Sequence, residues 1–169
     1  MTFPKRKFIA ALSYGFLALG AGIVLAGCST SPLPAGLTAR MDQTGANLDR
    51  AEALQLINQF RASRGVRPLT LSPDLNATAQ NLANSYASNS GQPPKPGGNV
   101  VHMRLSAGYS SFAQTFSGWR GRADDANVIA DPSVNSAGLG VAYAANSAYG
   151  VHWVLLLGNS APPASPPTQ

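Results

Sequence analysis

The sequence predicts one α+β domain, with amphipathic helices in its first half and an antiparallel hairpin at its end. Three observations lead to that class. Between positions 49 and 88 apolar residues recur at helical spacing, with capping signals around them. Leu139 to Leu157 instead holds a period-two stretch and a β-rich apolar run. The third observation is size: a chain of 169 residues holds a single modest core once its low-complexity ends are set aside.

The chain opens with Lys5, Arg6 and Lys7, followed by an apolar run from Phe8 to Leu25 without a charge. That is the pattern of an export signal, and residues 1–27 are excluded from the fold. Leu25-Ala26-Gly27-Cys28 resembles the lipobox of bacterial lipoproteins. The resemblance implies cleavage before Cys28, acylation of that cysteine and attachment to a membrane. An uncleaved transmembrane helix is the competing reading, since about 20 apolar residues span a bilayer; a lone Cys directly behind Leu-Ala-Gly favours the signal. Ser29-Thr30 lacks the Asp that resembles an inner-membrane retention signal, so a host with two membranes would sort the protein to the outer one. Residues 28–47 are rich in Ser, Pro, Gly and Thr without apolar periodicity, which predicts a flexible tether. Residues 160–169 read as a disordered Pro-rich tail.

The domain is expected over residues 48–159. Leu54, Ile57 and Phe60 make one stripe within 49–64, and Gly65 ends it as a first helix. Ser72-Pro73-Asp74 supplies an N-cap, a proline in the first turn and an acid at the positive helix end. Leu75, Ala79, Leu82, Ala83 and Tyr86 then form the face of a second helix running to Ser88. Three prolines and three glycines break up residues 89–99, giving a long surface loop. Val100 to Ala107 reads as a helical turn or two ended by Gly108, and Phe112 to Trp119 as another short helix. Leu139 to Tyr143 and Val151 to Leu157 are strands, joined by a turn at 145–148.

Composition excludes several function classes. The 12 Lys plus Arg against 7 Asp plus Glu give a formal charge of +5, but three of the cations lie in the signal. The remaining Arg residues are scattered, so no nucleic-acid face is expected. One Cys forbids an internal disulfide, and two His in separate segments cannot by themselves supply a zinc site. Neither a metal nor another cofactor is expected. The single Glu is Glu52, so any carboxylate pair must draw on Asp residues.

The run from Leu56 to Leu75 contains Asn58, Arg61, Gly65, Pro68 and Leu69 in an Asn-x-x-Arg-x-x-x-Gly-x-x-Pro-Leu pattern. It resembles the opening of the CAP superfamily, which unites cysteine-rich secretory proteins, antigen 5 and pathogenesis-related 1 proteins. Ala79-Gln80-x-x-Ala83, Arg104-Leu105-x-Ala107-Gly108-Tyr109, Gly118-Trp119 and Gly138-x-Gly140-Val141-Ala142 with Trp153 follow in the order of the family motifs. The resemblance implies an α-β-α sandwich, here shortened.

Family members commonly line a cleft with two His and two acidic residues. The first His would fall near Gly91 and Gln92, where there is none. The Glu-Asn segment is missing from the short stretch Ser110 to Ser117, and the second His would fall on Asp124 or Asp125. The resemblance thus implies a cleft without its tetrad. Residues that could still line it or bind a ligand are His102, Arg104, Asp124, Asp125 and His152. Each also has a bland role: His102 as a structural histidine, His152 on the sheet face opposite Trp153, the two Asp residues as partners of Arg120 and Arg122. Trp119 and Trp153 read as core anchors. Ser110 lacks the strand and closing glycine of a nucleophile elbow. The expected function is a lipid-anchored envelope protein whose domain binds a wall component, a protein or an apolar ligand without catalysis. A hydrolase or metal-dependent enzyme with a non-standard site is the alternative, and it requires those four His and Asp side chains to converge.

Overall fold

The computed structural model describes residues 32–89 and 91–160. The signal, Cys28 and residues 161–169 of the tail lie outside the described residues. Five helices occur among the described residues: α1 (Ala35–Thr38), α2 (Arg50–Ser63), α3 (Pro73–Ser88), α4 (Phe112–Arg120) and α5 (Ala123–Ile129). Four strands, β1 (Thr70–Leu71), β2 (Val100–Ala107), β3 (Ser136–Tyr143) and β4 (Val151–Gly158), form one sheet in the order β1-β3-β4-β2. β1 runs parallel to β3, and the other neighbours are antiparallel.

The helices start where the sequence caps them. Asp49 accepts from the Glu52 amide and Ser72 from the Leu75 amide. Gly65, at φ 71°, takes the left-handed conformation that closes α2 at little steric cost.

Central strand β4 is buried along its whole length and alternates between two cores, as period two demands. Val154 and Leu156 pack with Leu75, Ala79 and Ala83 of α3. Trp153, Leu155 and Leu157 face the other way, toward Leu37, Ile57, Phe112, Phe116, Trp119 and Ile129. The result is an α-β-α sandwich, with α3 on one face and α1, α2, α4 and α5 on the other. Glycine sets the spacing on the α3 face: a Cβ on Gly138 would lie 2.2 Å from the Leu75 backbone, and one on Gly140 2.2 Å from the Ala79 carbonyl oxygen. The helix therefore rests directly on the strand.

Three elements differ from the sequence reading. Val100 to Ala107 is a strand, not a helical turn, because it closes the free edge of β4 from Val100 opposite Gly158 to Ala107 opposite His152. Residues 32–47 of the expected tether are packed on the domain: Leu37 and Met41 are each only 3% exposed, and the Met41 amide donates to the Ser110 carbonyl at 2.7 Å. Residues 123–129, not foreseen as a separate element, form α5, which carries both candidate Asp residues.

Candidate functional site

The structure divides the five candidate residues between the two faces of the sheet. His102 and Arg104 project from β2 on the side of α4 and α5, with Ser106, which pairs with Trp153. His152 pairs with Ala107 and belongs to the α3 side. His102 and Ala107 are five positions apart on a regular strand, so the two histidines lie on opposite faces. At about 3.3 Å per residue they are separated by about 17 Å along the sheet.

On the α4–α5 face the polar groups neutralise one another. Asp125, near the start of α5, is 9% exposed and sits between two arginines. Arg104 Nε lies 2.7 Å from its Oδ1, without the alignment of a hydrogen bond. Arg122 donates to Oδ2 from Nε at 2.6 Å. Asp124 is exposed and stays out of this cluster. The expected partnership of the acidic pair with Arg120 and Arg122 is therefore realised as Asp125 with Arg122 and Arg104.

His102 has a different partner. Its Nε2 is 2.6 Å from Asp131 Oδ2, and Asp131 Oδ1 also accepts from the Ser133 amide at 2.8 Å. The His102 hydrogen bond first, and the Ser133 amide second, hold the Asp131 carboxyl down at about 2, because each favours the charged form.

Asp131 is placed by Arg61 of α2, which is fully buried. The Arg61 guanidinium donates to the carbonyls of Arg67, Ile129 and Asp131 at 2.8, 2.6 and 3.0 Å. It thereby ties the end of α2 to the connection between α5 and β3. Burial lowers its pKa, partly offset by the charge of Asp131.

His152 occupies a separate environment. It is 3% exposed and meets Tyr86 edge-on at 4.7 Å and Tyr149 edge-on at 6.5 Å. Burial depresses its pKa, against a smaller opposing pull from the Gly150 backbone, so the ring is held neutral. Its Nδ1 has no hydrogen-bond partner among the described residues. A cavity of about 430 Å³ opens beside it, bounded by the end of α3 and the β3–β4 turn. Among the described residues of the loop 89–99, Asn89 alone lines this cavity. Its other walls come from Tyr86, Tyr149 and the turn residues Asn146 and Ser147, which the sequence reading left out. An exposed aromatic set in the polar turn Asn146 to Gly150 was the available signal.

Among the described residues no three His, Cys, Asp or Glu side chains come together as a metal-binding group. His102 and His152 lie on opposite sheet faces, so the four side chains His102, His152, Asp124 and Asp125 do not all converge on one substrate.

The α-β-α sandwich defines the class. The model of the cysteine-rich secretory protein family, CAP, matches residues 54–157, and the chain belongs to that family. A crystal structure of MpPR-1i soaked with selenourea superposes with a TM-score of 0.54 at 22% identity, covering 71% of this chain and 95% of the other. A cysteine-rich secretory protein from Staphylococcus aureus gives a TM-score of 0.52 at 11% identity, over 64% of this chain and 38% of that one. These likenesses establish the fold. Comparison with curated protein sequences finds no match.

Proposed function

We propose that the protein is a lipid-anchored component of the cell envelope whose CAP domain binds a partner without catalysing a reaction. One observation carries the non-catalytic half: the ionisable groups available for chemistry sit in two places about 17 Å apart on opposite sheet faces. A general base must reach its proton within about 3 Å or through one water, and Asp125 and Asp131 are already held by Arg104, Arg122 and His102. A metal-dependent mechanism would need these carboxylates free and convergent on one ion. The remaining partners are a wall component, an envelope protein or an apolar ligand.

Anchoring is supported by the basic start, the apolar run and Leu25-Ala26-Gly27-Cys28. Each buried acyl methylene contributes about 0.8 kcal/mol, so an acylated Cys28 would hold the domain at a membrane surface, the outer membrane in a host with two. Labelled palmitate fed to expressing cells tests this. The unaltered chain should incorporate label and sediment with membranes, whereas Cys28→Ala should remain unlabelled and unprocessed. Equal labelling of both would overturn the anchor.

A further inference from the structure

The end of the sandwich beside His152 holds features that neither the fold nor the ion pairs explain. Three tyrosines follow the strand ends there, Tyr109 just after β2, Tyr143 at the end of β3 and Tyr149 just before β4, with exposures of 43%, 38% and 65%, although the Tyr109 ring turns to the other face and packs on Gly118 of α4. The strand register places these three strand ends side by side, with Ala107 and Ala142 both opposite His152. A second cavity, of about 250 Å³, is lined in part by Gln43, Thr44, Asn84 and Tyr143. The two adjoin along the chain, since Tyr143 lines one and Ala144 the other. No Lys, Arg, Asp or Glu among the described residues lines either cavity.

We propose that this tyrosine-rich end is a binding site for a neutral oligosaccharide, with the first cavity taking a sugar unit. The assignment deepens the binding reading above and rests on it. Charge narrows the ligand first. An anionic or cationic group would be desolvated here with no opposite charge to offset the loss, which excludes phosphates, carboxylates and amines as the recognised group. Polar lining narrows it next. Under an acyl chain Asn89, Asn146 and Ser147 would lose water without gaining partners, whereas sugar hydroxyls both donate and accept to amides and hydroxyls.

Aromatic rings complete the match, because the C–H face of a pyranose packs on a tyrosine ring while the phenol stays wet. His152 lines the first cavity as well. Ser147 Oγ accepts from the amides of Tyr149 and Gly150 and lies 3.4 Å from His152 Nε2, which directs the hydroxyl proton to that nitrogen. The first cavity also falls in the usual size range of ligand sites, about 300 to 1,000 Å³.

The test uses the full chain in a sugar-free detergent, titrated calorimetrically with chitotetraose and with maltotetraose, both uncharged. Saturable binding of either supports the site. Tyr149→Ala, at an exposed position, and Asn146→Ala, in the turn, should each weaken it at least ten-fold with the circular dichroism spectrum unchanged, while His102→Ala on the other face leaves it within two-fold. Binding of neither probe, or binding indifferent to both substitutions, would overturn the assignment even if envelope material is still retained. Cleavage of a bound probe would instead overturn the non-catalytic reading and leave the site standing.

Discussion

Arg61 shows how one side chain can serve both fold and surface chemistry. Fully buried, it answers carbonyls with no carboxylate of its own, so its removal would strand several acceptors and leave a cavity. Arg61→Ala should destabilise the domain by about 3 kcal/mol or more, read by urea denaturation. Arg61→Lys should recover only part of that, because an ammonium lacks the planar fork that reaches three carbonyls at once. The histidine and Asp131 set the acid response. His152 has a folded pKa below its unfolded value, so the unfolded state binds the proton more readily. Its contribution is complete above about pH 6.5 and is lost as pH falls through the folded value; His152→Gln should flatten stability between pH 7 and 5. Asp131, held at about 2, contributes above about pH 4, and the contribution disappears as pH drops toward 2. With the carboxylate partly solvated, it amounts to about 1 kcal/mol, and Asp131→Asn should remove that slope.

Among the elements, the contact between α3 and β3 is the least tolerant. A methyl on Gly140 would collide with the Ala79 backbone, which belongs to a helix that cannot yield locally. Gly140→Ala should therefore cost about 3 kcal/mol, the upper range of overpacking, visible as a lowered thermal midpoint. The same contact shows what a sequence can reveal. α2, α3 and the hairpin were legible because Gly65, Ser72 and Pro73 are local signals, each acting within one turn of its own helix, and because the hairpin strands carry their own period-two and β-rich patterns. β2 was misread because Met103, Leu105 and Ala107 are good helix formers; the alternation of His102, Arg104 and Ser106 against them was the better guide. Residues 32–47 have too few anchors, chiefly Leu37 and Met41, to register as periodic. The pairing of His102 with Asp131 was not legible at all, since it joins positions 29 residues apart through a connection that Arg61 positions from a third segment.

For the whole molecule, the proposed binding role rests on the division into two faces. One face carries ion pairs that are mutually satisfied, and the other carries an uncharged cavity with an unpartnered imidazole nitrogen. The most direct measurement of the non-catalytic reading incubates the full chain with isolated wall and membrane fractions. It records, in the same samples, the protein retained and any soluble fragments released, by mass spectrometry over hours. Saturable retention with no fragment rising above that of protein-free controls is the expected result. Time-dependent release of fragments that His102→Ala, Asp125→Ala or His152→Ala abolishes, with folding intact, would contradict it.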